Sequence, residues 1–96
     1  MRVVIDGSAV HTERDLHDRL ATELDFGPYY GNNLSALWDR LYRDVARPVE
    51  LVWENSAASR AALGPESFER IAALLIKVMD SDSAHPPEKR FTVCFG

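Results

Sequence analysis

Few side chains in this sequence are able to do chemistry, and they do not converge. The three histidines, His11, His17 and His85, are scattered, and the only cysteine is Cys94. His11 precedes a helix cap and has no acid or nucleophile at a recognised spacing. His17 borders a leucine stripe (Leu16, Leu20, Leu24), the place of a hydrogen-bonded structural histidine. His85 lies in a Ser/Pro loop and reads as solvated. One cysteine with dispersed histidines matches no metal-ligand pattern, and a lone cysteine excludes an internal disulfide. Cys94 stands in an apolar terminal segment and reads as a buried, inert thiol. A phosphate loop needs a glycine-rich strand-to-helix turn, but the segment from Asp6 to Thr12 has one glycine. Serine-nucleophile motifs are absent. No catalytic residue, metal ligand or cofactor is expected.

What remains is the stretch PYYGNNLSALWDRL, residues 28 to 41, dense in aromatic and amide side chains. On a helical wheel, Leu37, Leu41, Leu34 and Trp38 fall within an arc of about 100°. Leu37 and Leu41 are core residues, and Leu34 and Trp38 stand near the edge of the arc. Tyr42, Ser35 and Asp39 occupy the adjoining face, and Tyr29, Tyr30 and Gly31 just before the helix can extend it. Two readings stay open on spacing alone. In one, the aromatics pack beneath the loop and Asp39 forms a weak i,i+4 pair with Arg43. In the other, rigid aromatic anchors surround one carboxylate, which is the composition of an interface hot spot.

The elements that position these residues follow from pattern. Val3-Val4-Ile5 is a β-branched run ended by Asp6-Gly7, and suits a strand covered on both faces. Thr12 to Asp15 has the spacing of a capping box, and Leu16, Leu20 and Leu24 give a helix over 13–24. Asp25 to Asn32 is a loop, and Asn33 caps a helix from Leu34 to about Arg43. Arg47-Pro48 ends that region. Val49, Leu51 and Trp53 mark a second strand. The segment 54–62 has room for a short helix, and Gly64-Pro65 opens a longer one with Phe68, Ile71, Ala72, Leu75 and Met79 as its stripe. Ser81 to Lys89 reads as an exposed loop, and Arg90 to Phe95 as the last strand, with Phe91, Val93 and Phe95 on one face. Strands separated by helices require crossovers, hence an α/β fold with a parallel sheet and right-handed βαβ units.

Composition bounds the rest. The 96 residues make one domain, 1–96, and 46% hydrophobic residues supply its core. A net charge of −4 argues against nucleic acid as the main partner and suits a basic protein. The apolar run Val3 to Ile5 is too short for a signal peptide or membrane span, so a cytoplasmic protein is expected.

The chain resembles the barstar family of bacterial ribonuclease inhibitors. The likeness rests on Ile5-Asp6-Gly7, Asp15-Leu16-His17, Tyr29-Tyr30-Gly31, Asn33-Leu34, Ala36-Leu37-Trp38-Asp39, Pro48 and Trp53, in one register. It runs without gaps over roughly residues 1–53, and more loosely through the helix near Pro65. It implies a three-stranded parallel sheet with three to four helices, a non-enzymatic protein that is monomeric when unbound, and a secreted guanyl-specific ribonuclease of the barnase type as partner. Asp39 matches the family's central acid, which would stand in for a substrate phosphate. Tyr29, Gly31, Asn33, Leu34 and Trp38 match family contact positions, with Ser35, Tyr42 and Asp44 completing the face; Tyr30 could equally be structural. Ser35 replaces an acid and Asp44 a tryptophan. Arg40 and Arg43 oppose a basic target, Ala73 or Leu74 falls where the family has another acid, and the loop from Ser81 to Lys89 looks longer. These departures point to a nuclease other than barnase. An immunity protein against a different nuclease toxin, or a self-associating domain, are the other readings.

Overall fold

Val3, Val4 and Ile5 do form a strand, β1 (Arg2–Asp6), but only alternate side chains are buried. Residues 1–96 are all described by the computed structural model. A 3₁₀ turn (Gly7–Ala9) leads into α1 (Glu13–Glu23). The capping box forms as the spacing requires: the Thr12 side chain accepts from the Asp15 N–H, and Asp15 accepts from the Thr12 N–H. After the loop come α2 (Leu34–Asp39), a π-helical turn (Arg40–Asp44) and β2 (Val49–Glu54). Then follow α3 (Ser56–Leu63), α4 (Pro65–Ser81), a 3₁₀ turn (Pro87–Lys89) and β3 (Phe91–Phe95). The Arg47-Pro48 peptide is cis.

The three strands pair in parallel in the order β1-β2-β3, with Val3 opposite Leu51 and Leu51 opposite Val93. The order never reverses. Crossovers of one hand then lay every helix on the same side of the sheet. Val3, Ile5, Val49, Leu51, Trp53, Phe91 and Val93 meet the helices there, within one cluster of 17 buried apolar residues. The opposite side is open, which corrects two expectations. Val4 is 39% exposed, not covered. Cys94, in register with Val52 on that same side, is an exposed thiol rather than a buried one.

Two further corrections concern loops and helix ends. The segment from Ser81 to Lys89 is not wholly exposed, because Asp82 is buried. Val78, absent from the expected stripe of α4, is buried beside Ile71 and Leu75. The helix expected over 34–43 changes character after Asp39, where the Val45 N–H donates to the Arg40 carbonyl at 3.0 Å in a five-residue span.

Gly7 joins sheet to helices by close approach. The Ser59 hydroxyl accepts from the Trp53 indole N–H at 2.9 Å and donates to the Gly7 carbonyl at 2.8 Å, all out of solvent. A Cβ on Gly7 would lie 2.5 Å from the Asn55 and Glu54 carbonyl oxygens. Backbone cannot retreat from it as a flexible side chain could. Gly7→Ala is expected to lower stability by about 3 kcal/mol, read by chemical denaturation; an unchanged midpoint would mean that the strand end shifts freely.

Candidate functional site

The loop between α1 and α2 sorts its two tyrosines in opposite directions. Asp25, Gly27 and Asn32 all take positive φ, which folds the segment tightly. Tyr30 turns inward, 4.8 Å from the Phe26 ring, with its hydroxyl 2.6 Å from His17 Nδ1. The Asn32 amide donates to Asp18 on α1 at 3.1 Å. Tyr29 is thereby turned out and is 91% exposed.

His17 is thus the hydrogen-bonded structural histidine expected from its place beside the leucine stripe. Burial lowers its pKa below the ordinary 6.5, outweighing the neighbouring charges of Glu13 and Asp18. Burial pushes the Tyr30 hydroxyl well above the usual tyrosine range, despite Arg40. Near neutrality both groups are uncharged, and one hydrogen bond joins the hydroxyl to Nδ1. A histidine with a depressed folded-state pKa contributes stability that is full above 6.5 and is lost as pH falls through the lower folded value. The thermal midpoint should therefore fall as pH drops below 6.5, and His17→Leu should flatten that slope; an equal slope in the variant would assign it elsewhere.

The helix entry is fixed by Asn33, whose Oδ1 accepts from the Ala36 N–H at 2.8 Å while its Nδ2 donates to the Gly31 carbonyl at 3.2 Å. Asn33 is therefore a cap as well as a candidate contact. Leu37 and Leu41 are fully buried, Leu34 and Trp38 half-buried, and Ser35, Asp39 and Tyr42 exposed. That is the order read around the wheel. Trp38 and Tyr42 stack with centroids 5.0 Å apart and planes 15° from parallel. Asp39 makes no hydrogen bond or ion pair, and the pairing with Arg43 does not form; Arg40 pairs instead with Asp44 at 3.3 Å. Asp44 is exposed but already partnered. Lys77 on α4 was not legible as part of this surface: its ammonium lies 5.2 Å from the Trp38 ring centroid. Only the packing of α4 beside α2 brings it there, and no local pattern announces that.

A second concavity lies elsewhere, between β1 and α1, and includes Asp6, Asp15, Asp18 and Arg19. Its acids are committed. Hydrogen bonds from the Ser8 and Asn55 side chains and the Ser8 N–H hold the Asp6 carboxyl below its usual value. The N–H of His11, joined by Thr12, does the same for Asp15. Asp18 takes the Asn32 amide and lies 3.7 Å from Arg14. No group of three or more His, Cys, Asp or Glu is arranged to hold a metal ion. No helix is long and apolar enough to cross a membrane.

A parallel α/β fold with an open aromatic helix face, and with the acids of the β1–α1 concavity internally bonded, is the build of a binding module. The family model described as "Barstar (barnase inhibitor)" matches residues 1–94, and the chain belongs to the barstar family. It is also similar to a Bacillus subtilis (strain 168) protein named "Putative ribonuclease inhibitor YrdF", with 44% identity over 63 residues, 66% of this chain and 69% of that relative. Members of the family are ribonuclease inhibitors and not enzymes.

Proposed function

We propose that this protein inhibits a secreted bacterial ribonuclease of the guanyl-specific, barnase-like type by placing Asp39 in the active site where a substrate phosphate would sit. A ribonuclease must gather cationic side chains around the scissile phosphodiester. A carboxylate can take that position through charge-assisted hydrogen bonds. One observation carries the reading: Asp39 is an exposed carboxylate with no partner in its own chain, next to the stacked Trp38 and Tyr42. Its lone pairs are free to be satisfied by another protein. Tyr29, Gly31, Asn33, Leu34, Ser35 and Trp38 would surround it and exclude water, which strengthens the central attraction.

The protein acts in the cytoplasm of the cell that makes the nuclease and is a monomer until it meets it. A second reading, immunity against another nuclease toxin, is favoured by the pairing of Asp44 with Arg40 and by Lys77 over Trp38, which make this face less acidic than a wholly basic target would demand.

The test is titration of purified barnase and related secreted ribonucleases with this protein, following cleavage of a fluorogenic RNA. Inhibition should reach an equimolar end point. Failure to inhibit any of them at large excess would refute the reading. The association rate should also fall as salt is raised, because net charge −4 steers the protein toward a cationic cleft. A rate indifferent to salt would count against steering.

A further inference from the structure

A groove between α2 and α4 continues the aromatic surface on the side of Trp38. Leu34, Ser35, Trp38, Ala73, Leu74 and Lys77 line it, so its walls are largely apolar and its one charge is the Lys77 ammonium. Lys77 has no carboxylate partner. It rests over the Trp38 indole, whose π-face attracts a cation without neutralising it. Two unpaired charges of opposite sign thus stand beside Trp38: Asp39, the next residue along the chain, and Lys77 over the indole, with the unpaired Arg43 one turn beyond Asp39.

We infer that this groove accepts an aliphatic side chain of the target ribonuclease together with a carboxylate at the rim of its active site, and that Lys77 selects for that carboxylate. The inference rests on the proposed inhibition and narrows its partner. A cationic cleft satisfies Asp39 but repels Lys77 if its rim is cationic as well, because like charges brought together in an interface oppose association. An acid opposite Lys77 removes that conflict and replaces it with a charge-assisted bond. The apolar walls supply the burial such a bond needs, because Leu34 and Leu74 are only half-covered within the free protein. The groove occupant is therefore defined by chemistry: aliphatic bulk followed by a negative group. Ribonucleases with a uniformly basic rim are rejected at this point although their centres would accept Asp39.

The experiment compares inhibition constants of the parent, Lys77→Glu, Lys77→Met, Ala73→Phe and Asp39→Ala against a panel of purified secreted bacterial ribonucleases, barnase included. Against the enzyme the parent inhibits best, Lys77→Met should lose about fivefold and Lys77→Glu about tenfold or more. Ala73 is exposed, so Ala73→Phe should fold normally while filling the groove, and should lose about tenfold. Neutralising rim carboxylates of that enzyme one at a time should reveal one whose loss makes the Lys77→Met change silent. Lys77→Glu should gain against panel members with a basic rim. The inference is overturned if Lys77→Glu inhibits the best target as well as the parent, or if no rim carboxylate couples to Lys77. In that event, a loss confined to Asp39→Ala would leave phosphate mimicry standing. A parent that inhibits no panel member overturns both.

Discussion

Asp39→Ala should raise the inhibition constant against the target ribonuclease by about 2–5 kcal/mol, roughly thirty- to five-thousand-fold. The range is that of truncated charge pairs in buried interfaces generally. Most of the loss arises on the other protein, whose cationic residues remain desolvated with nothing to face. The free inhibitor should hardly notice, because Asp39 is exposed and bonded to none of its neighbours. Its unfolding midpoint should stay within about 0.5 kcal/mol of the parent. That separation makes the test clean. Trp38 and Asn33 cannot offer it, since one half-packs against the core and the other caps α2. Asp39→Asn sharpens the point: a loss near that of alanine assigns the effect to charge, and a small loss assigns it to shape. Inhibition equal to the parent's in the alanine variant would end the phosphate-mimic proposal.

Under the proposed mechanism, the local charge balance places the central role on one acid. From Leu34 to Asp44 two acids meet two arginines, and one acid, Asp44, is spent on Arg40. Attraction at long range would then come from the molecule's net −4, and attraction to a cationic centre at contact from Asp39. Salt should therefore act mainly on association, and the Asp39 substitution mainly on dissociation.

Much of this surface could be read before any coordinates, because its determinants are local. Helical periodicity separated Leu37 and Leu41 from Ser35, Asp39 and Tyr42, and Asn33 marked the helix start three residues before the N–H it caps. The inward turn of Tyr30 was open, since a loop with three positive-φ residues has no period from which to assign faces. What was misread depends on distant elements. The β-branched run at Val3 to Ile5 looks the same whether helices cover one face of a sheet or two, and only the unreversed strand order leaves Val4 and Cys94 exposed. The π turn departs from regular helical register just where the wheel assumed it, and the ion pair there is Arg40–Asp44, not Asp39–Arg43. Lys77 belongs to the aromatic surface through packing between helices far apart in sequence.

Asp82 is the strongest such case, and its removal should be the most damaging single substitution to the fold. It reads as one polar residue in a polar loop. In the structure its carboxylate accepts from Arg47 Nε and from the Phe91 N–H, both at 2.8 Å, binding the approach to β2, the end of α4 and the start of β3. Arg47 also donates to the Val45 carbonyl and lies over the Phe91 ring. Burial alone would raise the Asp82 pKa, but the Arg47 and Phe91 hydrogen bonds and the charges of Arg47 and His85 outweigh it and hold it below 3.8. The site at the C-terminal end of α4 would otherwise repel an anion. Asp82→Ala leaves a largely buried guanidinium without its counter-charge and a strand N–H without an acceptor, at a cost of about 3–5 kcal/mol. Chemical denaturation measures it. Asp82→Asn should lose less, because an amide oxygen still accepts from Phe91. Arg47→Met combined with Asp82→Leu should be more stable than Asp82→Ala, since no charge is then stranded. With a depressed folded-state pKa, the contribution of Asp82 is complete above 3.8 and disappears as pH falls through the lower value. Acid should therefore weaken the protein in two separate windows, one beginning near 6.5 from His17 and one below 3.8 that Asp82 shares with Asp6 and Asp15. In Asp82→Asn the lower window should shrink to the part due to Asp6 and Asp15 while the upper one stays intact; an unchanged lower window would show that the buried pair does not contribute to it.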